Sequence, residues 1–423
     1  MTLNGYISLI HFTINLCINR QDAFVLANKI VTEKIMSTYL TFDESYLRDI
    51  YGEHTAKEIT HQPAMWRQAF NNIETIRGEI DAFLAPVMKK DNVRVVLTGA
   101  GTSAFAGKTL APHLTKVTGR RFDAVSTTDI VAAPGEYLGE QVPTLVISFA
   151  RSGNSPESVA TVDLADQVLN DCYHLVLTCN PEGQLAKAAQ TKKNMFCLLM
   201  PEGTNDKSFA MTSSFTSMML SALCIFDPSE GLANSVESIC TNTEQLIAEK
   251  AAEMKALAAK ACERVVFLGS GSFQGLAQES ALKLLELTAG KVVAIHDSPL
   301  GFRHGPKSVV NDKTIIFNFM SNDRYTRQYD QDLLAEIRQD NQAMHIVALS
   351  DGADEQVMSG NVICTETQAG NENVWLSFPF IALAQTFSFF KSVQLNITPD
   401  NPCPTGEVNR VVQGVTIHPY NKK

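Results

Sequence analysis

Short unbroken apolar runs recur along the chain, at Val95–Leu97, Leu145–Ile147, Leu175–Leu177, Val265–Leu268, Ile315–Phe317 and His345–Leu349 with its polar lead residue. Runs of this length, bounded by glycine and polar residues, predict parallel strands buried on both faces. Between them lie stretches with helical spacing, such as Val159, Val162, Ala165 and Val168. Strand–helix–strand alternation predicts right-handed parallel units. The pattern then repeats. Arg94–Gly101 returns 170 residues later as Arg264–Gly271, and the same offset carries Leu145–Ile147 onto Ile315–Phe317.

The predicted class is therefore α/β, with two tandem doubly wound parallel sheets and N-terminal helices. Residues 43–87 read as helical, with a break at Glu58–Pro63 because proline disfavours helix before it. The expected order is an N-terminal extension (1–35), a helical lead-in (36–85), a first sheet domain (86–234), a linker helix (Ser235–Cys262), a second sheet domain (263–400) and a C-terminal tail (401–423). A second methionine, Met36, stands after the extension, which is expected to be dispensable.

Composition narrows the picture. Apolar residues make up 45% and charged residues 19%, enough for real cores. A net charge of −10 disfavours a nucleic-acid partner, which would need a basic face. Nine scattered cysteines without C-x-x-C spacing predict reduced thiols in a cytoplasmic protein. Tyr6–Ile18 is too short to span a bilayer, and Ser377–Val393 carries Pro379, Gln385 and Lys391, so a buried core helix is expected and no membrane partner. The histidines are scattered, and neither a metal nor a cofactor is expected.

Two loops carry the chemistry. Gly99-Ala100-Gly101-Thr102-Ser103 follows the first strand and opens a helix. Its glycines let the backbone approach a ligand, and the helix start supplies unpaired amides. A plain tight turn is the other reading. Ser148–Glu157 follows the next strand, with Ser155 suited to an N-cap and Pro156 to the first helical position. Loops at the carboxyl ends of parallel strands are where open α/β sheets bind ligands. Gly101, Thr102, Ser103, Ser152 and Ser155 can surround one phosphate, with Arg151 adding a charge; a capped helix without a ligand is the bland alternative. The loop after Phe319 in the second half lacks this pattern, and its Asp323 is expected to repel phosphate. Farther on, Glu279, Lys283 and Glu286 stand at i, i+4 and i+7 and share one helical face. Spacing alone favours a solvated face with helix ion pairs.

The glycine turn, the Ser-Gly loop, the repeat, Glu279–Leu284 on a helix, and the lead-in Lys57-Glu58-Ile59 with Gln62-Pro63 together resemble the sugar isomerase (SIS) domain family, over most of residues 55–420. Segments Ser148–Ser158, Ser298–Lys307 and Thr405–Val415 are similar to its branch of tagatose-6-phosphate ketose/aldose isomerases and galactosamine-6-phosphate deaminases. The resemblance implies a sugar 6-phosphate substrate and a homodimer or larger homo-oligomer. It implies Glu286 and Lys283 in the sugar site, Glu286 as the base, and His304 of the His-Gly-Pro motif opening the sugar ring, often across a subunit interface. Lys207 and Ser208 are expected to touch sugar hydroxyls. One departure matters: synthase relatives place a Schiff-base lysine near the C-terminus, and Asn409–Val415 has none. An amino sugar brings its own nitrogen, so deaminating isomerisation of galactosamine 6-phosphate to tagatose 6-phosphate and ammonia is favoured. A plain aldose–ketose isomerase and a non-enzymatic sugar-phosphate sensor are the alternatives; regulators of the second kind commonly add a helix-turn-helix, and residues 36–90 are not basic enough for one.

Overall fold

The structure is a computed structural model that describes residues 38–352, 355–365, 372–412 and 414–421. The 1–35 extension, Tyr6–Ile18 and Met36 lie outside the described residues. The described chain opens with a small hairpin, β1 (Thr38–Tyr39) and β2 (Phe42–Asp43), after which the Asp43 carboxylate accepts from the Tyr46 amide and starts the first helix. Four helices make the lead-in: Glu44–Asp49, Glu53–Thr60, Gln62–Thr75 and Arg77–Met88. The expected break falls at His61, with Pro63 in the first turn of the helix that follows, where its missing N–H costs nothing.

Two five-stranded parallel sheets follow. The first comprises β3 (Arg94–Thr98), β4 (Arg121–Ala124), β5 (Thr144–Ala150), β6 (Cys172–Thr178) and β7 (Met195–Leu199), in spatial order β4-β3-β5-β6-β7. The second comprises β8 (Arg264–Leu268), β9 (Val293–Asp297), β10 (Thr314–Phe319), β11 (His345–Asp351) and β12 (Asn361–Thr365), in order β9-β8-β10-β11-β12. The two orders are the same. The apolar runs are the central strands, and β3 and β5 are buried throughout. The edge strands β4, β7, β9 and β12 are each at least partly solvated, as in Val293–Asp297.

The linker helix runs from Leu232 to Ala258, earlier than expected at both ends. Gly231, at φ +83°, turns the chain into it. At the other end Lys391 Nζ takes the carbonyls of Ala258 and Lys260, at 3.1 and 2.8 Å, so the helix stops before Cys262. Lys391 belongs to the Asn373–Gln394 helix, which is long and apolar enough to cross a membrane but lies almost wholly buried inside the protein. Phe378, Phe380 and Phe387 on it are fully buried in the main core, which runs through both domains.

Two matching helices, Thr102–Thr118 and Ser272–Leu287, cross between the sheets. Gly275 permits the close approach: a Cβ there would lie 2.5 Å from the Thr109 amide nitrogen. Lys108 Nζ donates to Gln278 Oε1 at 2.8 Å. These residues are 170 apart, the offset of the repeat itself, so the two halves meet near an approximate twofold axis.

Candidate active site

In the order β4-β3-β5-β6-β7 the chain reverses direction across the sheet between β3 and β5, and the crevice outside the carboxyl ends of those strands is the expected ligand position. A cavity of about 250 Å³ lies there. Both predicted loops line it: Gly101, Thr102 and Ser103 on one side, Arg151, Ser152 and Ser155 on the other. Gly101 takes φ +54° and ψ −124°, a conformation open to glycine, and the helix starts at the next residue. Gly99 has no room for a side chain, since a Cβ would fall 2.5 Å from that of Ser103. Ser155 is the N-cap of the Pro156–Val168 helix, yet its hydroxyl makes no capping bond and lines the cavity instead. Gly153, at φ +64°, turns the loop between the two serines.

Arg151 lines the cavity and also braces its wall. Its guanidinium is buried, and it donates to the carbonyls of Ser208, Phe209 and Arg410 at 3.3, 3.1 and 2.8 Å. Burial, and after it the neighbouring Arg410, lower its pKa from the ordinary arginine value. It therefore shapes the wall from both the 205–211 loop and the C-terminal segment. Arg410 in turn holds the carbonyls of Asp206 and Ser208. Val408, Asn409, Arg410 and Val412 close one side of the cavity, and Phe209, Met211 and Leu282 add apolar wall. The segment expected as a tail is thus part of the site, and Gln167 Nε2 fixes its far end by donating to the Tyr420 carbonyl at 2.6 Å.

Glu286 also lines the cavity, brought from the second domain by the helix crossing. Behind it the expected shared face is realised, but it is not a solvated one. Lys283 and Glu279 are both fully buried. Lys283 Nζ donates to Glu286 Oε2 and to Thr102 Oγ1, the latter at 2.9 Å, and stands 3.4 Å from Glu279 Oε1. Burial opposes its charge, but Glu279 and Glu286 more than compensate and raise its pKa above the ordinary lysine value. Burial pushes the Glu279 carboxyl up to about 8, with Lys283 pulling the other way. Lys283 is buried behind Glu286 and does not line the cavity.

Three expected residues are placed elsewhere. The Lys207 side chain is exposed and Ser208 is buried, and neither lines the cavity. Both are held by Glu58 from the lead-in: its carboxylate accepts from the Lys207 amide at 2.5 Å and from the Ser208 amide at 3.2 Å, and it takes the Ser208 hydroxyl. Burial, with Asp206 nearby, pushes Glu58 up to about 8. The Lys57-Glu58-Ile59 segment therefore anchors the loop that carries Phe209. His304 sits in an exposed turn after the short helix Pro299–Phe302 and does not line the cavity formed by its own chain. Among the described residues, Asp166, Cys172 and His174 come together at the opposite end of the first sheet. His174 Nε2 meets Asp166 Oδ1 at 2.8 Å, and Lys192 Nζ holds the other Asp166 oxygen at 2.8 Å, so the carboxylate is already neutralised.

The SIS domain family matches residues 88–226 and 259–391, one stretch for each sheet. D-galactosamine-6-phosphate deaminase AgaS of Escherichia coli is 48% identical over 370 residues, covering 87% of this chain and 96% of the relative. The protein of the same name from Shewanella sp. (strain ANA-3) is 47% identical over 372 residues, covering 87% and 92%. The solved tagatose-6-phosphate ketose/aldose isomerase from Escherichia coli superposes with a TM-score of 0.83 at 45% identity, over 88% of this chain and 98% of that one.

Proposed function

The chain belongs to the SIS domain family, and we propose that its cavity performs the deaminating isomerisation of galactosamine 6-phosphate to tagatose 6-phosphate and ammonia. Relatives named D-galactosamine-6-phosphate deaminase at 47–48% identity support the substrate. The observation that carries the mechanism is the position of Glu286 opposite the serine loop, with a buried ammonium behind it.

The 6-phosphate sits between the amides at the Thr102 and Pro156 helix starts, taking hydroxyls from Ser103, Ser152 and Ser155. Ring opening breaks the C1–O5 bond: a proton leaves the C1 hydroxyl and one reaches O5, the shuttle assigned to His304 of a neighbouring subunit. Glu286 then removes the C2 proton while O1 takes up a proton, giving a C1–C2 enolamine, and returns its proton to C1 as the nitrogen gives one up. The product is an imine at C2. Water adds to it, the C–N bond breaks, and ammonia leaves with the ketose 6-phosphate. Lys283 holds the Glu286 carboxylate in place. The enzyme's own amine has no part: among the described residues no lysine lines the cavity. The enzyme is proposed to be a cytoplasmic homo-oligomer.

A plain aldose–ketose isomerase is the second reading, favoured by the name of the solved relative. Purified protein incubated with galactosamine 6-phosphate should release ammonia and tagatose 6-phosphate in equal amounts. Interconversion of ketose and aldose phosphates without ammonia release would establish the second reading, and binding without turnover would leave a sensor.

A further inference from the structure

The second sheet has the same strand order and the same glycine turn, so it has its own switch-point crevice, between β8 and β10. Gly271 takes φ +58° and ψ −124°, nearly the values of Gly101, and a sixteen-residue helix starts at Ser272. This crevice is not open. Asp330, fully buried, reaches into it from the Arg324–Asp340 helix. Its two oxygens take the Ser270 hydroxyl at 3.1 Å and the Ser321 backbone amide at 2.8 Å. Ser270 belongs to the glycine turn, and Ser321 to the loop after β10. A carboxylate thus bridges, in the second domain, the two loops whose counterparts line the cavity of the first.

The first domain has no counterpart. Asp330 stands seven residues after the N-cap Asp323, and seven residues after the N-cap Ser155 stands Val162. Asp323 caps its helix by accepting from the Thr326 amide at 2.8 Å. Arg327, one turn before Asp330, spans the Ser321 carbonyl and the Ser350 hydroxyl at 2.9 Å each.

We propose that the second domain retains an anion cradle that the chain fills with its own Asp330 carboxylate, confining phosphate binding to one site per chain. The cradle would take a tetrahedral oxyanion if the carboxylate were removed. The inference does not depend on the sugar or the reaction, only on the first domain for its count.

The test titrates inorganic phosphate into the full chain and counts equivalents by calorimetry. The unaltered chain should bind one and Asp330→Ser two; Ser152→Ala with Ser155→Ala should weaken the single equivalent at least about tenfold, and adding Asp330→Ser to that pair should add one equivalent. A second equivalent in the unaltered chain overturns the proposal whether or not Asp330→Ser folds. So does a folded Asp330→Ser chain that gains no equivalent. If the unaltered chain binds none while Asp330→Ser gains one, the cradle stands and the phosphate site of the first domain is wrong.

Discussion

Lys283 donates to the Thr102 hydroxyl at 2.9 Å, joining the first turn of one domain's glycine-loop helix to the last turns of the other's. The same ammonium holds Glu286. The aim of the proposed base is therefore set by how the two domains pack.

Lys283→Met should show this. It leaves Glu279 and Glu286 without their buried cation, and breaking a buried pair costs about 3–5 kcal/mol. Urea denaturation at pH 7 should give a loss of that size.

Glu286→Gln should lower kcat by roughly two decades or more, the scale of general acid–base catalysis. KM should change little, because the phosphate loops are intact. Solvent deuterium should appear at C1 of product made by the unaltered enzyme. Near-normal turnover in Glu286→Gln would remove the proposed base.

Ser152→Ala with Ser155→Ala should raise KM at least about tenfold, since each lost bond to a charged group is worth about 1.5–3 kcal/mol. Steady-state kinetics would read it directly. An unchanged KM would place the phosphate elsewhere.

His304 is exposed and absent from the cavity of its own chain. Mixing Glu286→Gln with His304→Ala subunits, each inactive alone, should restore activity in hybrid sites. No recovery after demonstrated subunit exchange would exclude a role across the interface.

Burial raises the Asp330 carboxyl to about 6 from its ordinary 3.8. The unfolded chain then releases this proton more readily, so between about pH 4 and 6 the folded state binds more protons and stability falls as pH rises. Asp330→Asn should remove that contribution, on the order of 2 kcal/mol between pH 4 and pH 7. Denaturation midpoints compared at the two pH values would check it.

What the sequence by itself determined is what short-range pattern controls. The runs at β3, β5, β8 and β10 had to be buried strands, the glycine turns had to open helices, and the 170-residue offset required two similar units. The two loops that line the cavity were legible for the same reason: within each, the residues are neighbours in the chain. Tertiary structure decided what faces what. Helical spacing put Glu279, Lys283 and Glu286 on one face, but spacing carries no information on whether that face meets water or another helix. The crossing at Gly275 buries it, and burial turns a surface ion pair into a device that positions a base. The same limit applies to Lys207 and Ser208, whose loop is turned by Glu58 from about 150 residues away, and to Arg151, whose guanidinium holds three backbone carbonyls. It applies most of all to Asp330. The charged residue visible in that loop was Asp323, yet the carboxylate that fills the crevice comes from two helical turns further on, and only the packing of that helix against β8 and β10 brings it there.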